Sequence, residues 1–512
     1  MAGRMEDHRP VTNRGGAAAR LRTVPMLFLC VFFIVPIAGS VARFARTGAI
    51  VDVATDPSLR SVAWFTLWQA IASTAATLSI GMPVAWALSR RRVHGARAVT
   101  GIVTAPFLMP AVVVATGVAA IVPSRGAVAI IVAHVVFNVA IVVRVVGPRW
   151  TMMSTRLEEV AADLGAGPIR TFVTVSWPLI RGSVLAATSL VFVFCWSSFA
   201  VVSILGGSSR RTLETEVFVR AVRLGDVRGA VALAVLQAVF VLLVLVIGSG
   251  RSNDDGWTPN DRSADGIRSG PATTIAWTGA LLVSSPLVAV AIRSVRVRGS
   301  WSLSGWRALF DGSLERVGVD AWSVLGHSAR FATVSAAITI VLGCLAVRRP
   351  TPSIVERISV LPLVISAVTL GLGIVVTFDR SPMDWRNRNW LVPVVHAVVA
   401  LPLAVRTIGP AVRAVDRSLH DTAADLGAAP LRILTRVDLP LIRGAIARAA
   451  GIAAAVSIGE FGATSFLTRS GSMTVPIAIS QLMGRPGPLL QQAAYALATL
   501  TAVACAALLA GA

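Results

Sequence analysis

The chain has 512 residues, 55% hydrophobic and only 14% charged, with a mean hydropathy of +0.74. A soluble protein of this length carries about a quarter charged residues, so a soluble enzyme or binding module is excluded and a polytopic membrane protein is expected. The formal charge of +22 rests on arginine alone, since no lysine occurs. These arginines fall in short loops between apolar runs, which suits cytoplasmic loops facing anionic lipid and argues against a nucleic-acid partner.

Residues 1–23 form a polar, Arg-rich tail that reads as cytoplasmic. The apolar run 24–44 is too long for a typical signal sequence and is read as a retained first helix with the N-terminus in the cytoplasm; the expected location is the plasma (inner) membrane. Further spans are expected near 61–89, 99–122, 126–147, 183–205 and 229–249. Arg90, Arg91 and Arg92, then Arg144 and Arg149, mark alternate inner ends. The polar stretch 250–272 reads as a flexible cytoplasmic linker. Spans near 273–293, 326–347, 353–376, 390–411, 444–467 and 488–510 follow, making about twelve in an all-α bilayer protein. The segment 294–325, with Trp301, Trp306 and Trp322, reads as an interfacial arm. Val475–Met483 is expected as a short helix at the surface. Cys30, Cys195, Cys344 and Cys505 lie in apolar runs without metal-ligand spacing, so neither a disulfide framework nor a metal centre is expected.

The second six spans repeat the first. Glu158–Gly182 recurs at His420–Gly444 without a gap, 262 residues on, with 14 of 25 positions identical. His134, Arg144, Gly147, Pro148 and Gly81 recur at the same spacing. An even number of helices per copy makes the halves parallel, so the domains read as 24–249 and 273–512, with polar islands at 148–182 and 412–444 on one side. Within each island a short helix should stop at a glycine turn, Gly165 or Gly427. A second helix should begin at Pro168 and present Ile169, Phe172, Val173 and Trp177 on one face, ending at Pro178. Such a knob suits a groove on another protein.

The islands resemble the EAA coupling loops of ABC-importer permeases. In the first copy the resemblance rests on Glu159, Ala161, Ala162, Gly165, Val175, Trp177 and Pro178. In the second it rests on Asp421, Ala423, Ala424, Gly427, Val437, Leu439 and Pro440, with Asp in place of Glu and Thr422 where the motif has Ala. Two loops in one chain are similar to the fused permeases of thiamine and ferric-iron importers. Ser198–Gln237 and Gly459–Leu467 look like matching parts of those families. The resemblance implies a permease driven through its loops by a cytoplasmic ATPase subunit, itself a homodimer, and fed by an extracytoplasmic solute-binding protein. ATP and Mg would be used by the partner, with no cofactor bound here. Consistently, the chain has no GxxxxGK[ST] phosphate loop and no serine elbow or HExxH.

Glu460 reads as an acid inside a helix, facing a pathway or satisfying an interhelical contact. It pairs by spacing with Ser198. With Phe199, Phe461, His134 and Asn138 it makes the candidate pathway set. For the histidines, packing or interhelical hydrogen bonding is favoured over a metal site, since ferric iron prefers oxygen ligands and the chain has one tyrosine, Tyr495. Gly206, Gly207, Thr212, Glu214 and Thr474 are candidates for an outer gate, or simply an exposed loop. A secondary transporter with two six-helix halves is the alternative; a membrane-embedded enzyme lacks any catalytic constellation.

Overall fold

In lipid every backbone amide must be satisfied within the protein, and long apolar segments achieve this as helices. The computed structural model describes residues 23–44, 47–207, 210–249, 269–347, 353–363, 365–379, 384–385, 388–468 and 471–511. Most of the expected tail and linker, and Arg348 and Arg349, lie outside these residues. Ten described helices are long and apolar enough to cross a membrane. The only sheet among the described residues is a ribbon pairing Arg296–Val297 with Ser300–Trp301.

Twelve uninterrupted spans are not what forms. The third is broken into Ala96–Leu108 and Ala111–Ile121, bent by 104°. Pro110 lies in the break, where a proline cannot donate to a helical ladder. Its counterpart is reduced to Ile354–Ile358, Leu361–Leu363 and Ala367–Thr377. The fifth and eleventh stop at Trp196 and Gly459 and resume as Phe199–Leu205 and Thr464–Leu467. Broken helices at membrane depth are tolerated where they are buried in protein or line a cavity, and these four breaks converge on one.

The repeat is visible in packing. A Cβ on Gly81 would lie 2.8 Å from Val142, and one on Gly343 would lie 3.6 Å from Ala404, the residue 262 after Val142. Leu213 N donates to Thr66 Oγ1 at 2.9 Å, and Val475 N donates to Ser328 Oγ at 2.9 Å. The first helix of each half crosses to the other half. Val24–Phe44 packs on Ala367–Thr377, where Thr377 Oγ1 donates to Pro36 O at 3.1 Å. Gly270–Ser294 packs on Ala111–Ile121, with Gly117 against the Pro286 backbone.

Ion pairs tie the bundle at the end away from the islands. Arg43 meets Asp379 at 2.8 Å and Arg220 meets Asp56 at 2.7 Å, and Arg43, Arg220 and Asp56 share one cleft. Hydrogen bonds from Ser58 and Arg220 hold the Asp56 carboxyl below the usual carboxylate range. Asp56 begins the helix whose far end reaches the first island, and Asp379 precedes the helix that leads to the second. Both islands therefore sit at the opposite end of the bundle.

Candidate functional site

Each island folds as a helix, a glycine turn and a second short helix. Thr155–Asp163 and Arg417–Asp425 are followed by Gly165 at φ +78° and Gly427 at φ +75°, a region that only glycine enters without cost. Gly165 N donates to Ala162 O and Ala166 N to Ala161 O, both at 2.9 Å, the paired bonds of a left-handed helix cap. In the second copy Ala428 N donates to Ala423 O at 2.9 Å.

Pro178 does not end the next helix, contrary to expectation. Pro168–Thr171 passes through a π-helical turn, Phe172–Ser176, directly into Trp177–Trp196. Pro440 follows the same course after Leu434–Asp438. A proline in the first turn of a helix sacrifices no needed donor, and the wide turn before it accommodates the ring.

The tips are apolar and open. Leu164 and Leu426 are each 83% exposed, and Ile169 is 82% exposed. Glu159 and Asp421, the acids the motif singles out, point to solvent. The acid that braces the first loop is its neighbour Glu158, which accepts from Ser176 Oγ at 2.9 Å and pairs with Arg90. At the equivalent two positions of the second loop, His420 Nε2 lies 2.7 Å from Asp438 Oδ1. Residue types differ completely between these clamps, so counting identities misses them. The legible signal was complementary hydrogen-bonding pairs at the same two repeat positions.

Between the halves lies a cavity of about 410 Å³. All six pathway candidates line it: His134, Asn138, Ser198, Phe199, Glu460 and Phe461. Phe199 and Phe461, equivalent by repeat, stack on each other with centroids 5.2 Å apart, so the internal axis runs between the two rings. Phe107, Phe137 and Phe194 complete an aromatic wall, and each break in the helices contributes lining residues.

Glu460 is not inside a helix. It sits at ψ 122° in the gap after Gly459. One carboxylate oxygen accepts from Ala463 N at 2.9 Å. The other accepts from Thr464 N at 2.8 Å and from Thr464 Oγ1. His396 Nε2 is 3.5 Å from the second oxygen and 2.8 Å from Thr464 Oγ1, while its Nδ1 is 2.7 Å from Ser457 Oγ. His134, its counterpart, turns instead to Ser73, 3.0 Å away through Nδ1. Asn138 Nδ2 reaches Cys195 Sγ at 3.5 Å. The paired histidines thus hold different polar networks.

Of the outer-gate candidates, Gly207 is exposed and the other four are buried. Thr212, Glu214 and Thr474 are buried, and Glu214 reaches the cavity wall. Gln237 and Ser366 both donate to the Glu214 carboxylate, and Ser366 belongs to the other half. Gly207 makes a left-handed turn at φ +67°. Val475–Met483 is helical as expected but buried along Val475, Ala478, Ile479 and Leu482, not lying at the surface.

Residues 335–512 match the family model described as the binding-protein-dependent transport system inner membrane component. The chain is 27% identical over 454 residues to the thiamine transport system permease protein ThiP of Brucella suis, covering 84% of this chain and 83% of that protein. It is 24% identical over 473 residues to ThiP of Escherichia coli K12, covering 85% of each, and 24% identical over 470 residues to ThiP of Haemophilus influenzae, covering 84% of each. The chain is an all-α multi-pass membrane protein, similar over most of its length to thiamine transport permeases, and its second half carries the match to the inner-membrane component.

Proposed function

We propose that the chain forms the channel of an ATP-driven importer for a small aromatic cation of the thiamine type. The observation that carries this reading is the pair of matching, solvent-open apolar loops at one end of two helical lobes that meet around a single cavity. A cytoplasmic ATPase dimer would seat one loop in each subunit, with ATP and Mg bound there. Its closure would push the two lobes together through the helices that begin at Trp177 and Leu439. The N-terminus would then be cytoplasmic. A solute-binding protein would dock at the opposite end, where Glu214 joins the halves through Ser366 and where the gate would open.

The cavity wall and the similarity to thiamine transport permeases support this solute class. Five phenylalanine rings offer π faces to a flat cation, and the carboxyl groups of Glu214 and Glu460 lie on the same wall. Ferric iron is disfavoured because both oxygens of Glu460 are already engaged by backbone and Thr464.

The test is uptake of labelled thiamine by proteoliposomes holding the full chain with its ATPase and binding protein. Accumulation is expected only with ATP inside the reach of the ATPase, and excess unlabelled thiamine, not ferric iron, should compete. Accumulation without ATP that collapses with the proton gradient would instead establish a secondary transporter. The buried His396–Glu460 pair is a feature that such a mechanism could use.

A further inference from the structure

Beside its ion pairs, the end of the bundle away from the two loops carries a cluster of arginines that no carboxylate pairs with among the described residues. Arg293 lies at the end of the Gly270–Ser294 helix, and Arg296 and Arg298 lie on the ribbon that follows. All three are exposed, and none pairs with a carboxylate among the described residues. With Gln491, Gln492 and Tyr495 they line a cleft of about 300 Å³. The first helices of the two halves pair 250 residues apart, Pro36 with Pro286 and Arg43 with Arg293. Arg43 meets Asp379 at 2.8 Å, whereas its counterpart Arg293 is left to face the cleft.

The ribbon is held in place over the helix ends. Gln492 Oε1 accepts from Ser304 Oγ at 2.7 Å and from Gly305 N at 2.9 Å, and its Nε2 donates to Ser302 O at 2.6 Å and Ser294 O at 3.1 Å. A Cβ on Gly305 would lie 2.7 Å from the Gln492 backbone, so the arm seats closely. Arg298 has φ +48° and is the only non-glycine at positive φ among the described residues. Glycine or asparagine fits there at lower cost, so the turn gives up stability to present a guanidinium.

Depth is marked by tryptophan. Trp301 is 74% exposed and Trp322 69% exposed, and the Arg296 guanidinium lies 6.0 Å over the Trp301 ring. Open tryptophans at span ends sit at headgroup level, and guanidinium pairs suit phosphate oxygens.

We infer that this cleft binds the phosphate of an anionic phospholipid headgroup in the leaflet opposite the two loops. Free phosphate offers the same charge but no acyl chains for Trp301 and the 53% exposed Leu303 to contact. The inference needs only that the chain spans a bilayer, so its failure and that of the transport reading are separate events.

Native mass spectrometry of the detergent-purified full chain tests it, with short-chain phosphatidylglycerol and inorganic phosphate as probes. One phosphatidylglycerol should bind more tightly than phosphate. Arg296→Gln with Arg298→Gly should weaken that lipid by about tenfold or more, the loss expected from two charge-assisted contacts. Glycine suits the turn, so the melting temperature of the variant should hold or rise, separating lost binding from lost folding. Undiminished lipid binding by a folded variant overturns the assignment. Phosphate binding as tightly as the lipid also overturns it, in favour of a soluble-anion site.

Discussion

Glu460 shows how one residue can look functional and be largely structural. Its carboxylate satisfies two backbone amides at the start of Thr464–Leu467 and steadies His396. Buried donors left without partners cost roughly 1–3 kcal/mol each. Glu460→Ala should therefore destabilise the purified chain by that order, and Glu460→Gln by less, because the amide keeps one acceptor oxygen. Thermal unfolding followed by tryptophan fluorescence measures this, with uptake kinetics in parallel. A Glu460→Gln chain with unchanged unfolding but a raised KM would move the residue from scaffold to solute contact. Ser198 at the matching site carries no charge, and the loss of capping there is absorbed by a shorter gap before Phe199.

Among the elements, the loops stand open to solvent and the broken helices enclose the cavity. Leu164 and Leu426 are so open that their side chains contribute little to the fold. Leu164→Ser with Leu426→Ser should leave unfolding unchanged yet abolish co-purification with the ATPase subunit, since buried apolar contacts are what a groove would supply. Retention of the ATPase by this double variant would remove the loops from the coupling role. The loops were legible because a 25-residue repeat with glycine at one place fixes a left-handed turn twice. The uninterrupted fifth and eleventh spans were a misreading, because Ser197–Ser198 and Gly459–Glu460 sit inside runs that hydropathy cannot divide. Six pathway residues were found together because repeat position paired Ser198 with Glu460 and Phe199 with Phe461, while His134 and Asn138 lie four apart on one helix face. The Glu158 and His420 clamps escaped, since their chemistry is complementary within each copy and unlike between copies.

At the scale of the molecule, the two halves are interlocked by exchanged helices. Val24–Phe44 lies on the second half and Gly270–Ser294 on the first, each meeting its partner through glycine or proline backbone at close range. In lipid such contacts rest on van der Waals packing of small residues, and association does not require a covalent link. The polar segment 250–272 should then serve only to keep the halves equimolar. Residues 1–260 and 261–512 expressed as separate chains should assemble in the membrane and co-purify through a tag on either one. Gly117→Leu, which drives a side chain into the Pro286 backbone, should weaken that assembly while the intact chain still folds, because the tether raises the effective concentration of the halves to the millimolar range. Separate chains that never meet would show that the linker, and not the exchanged helices, holds the permease together.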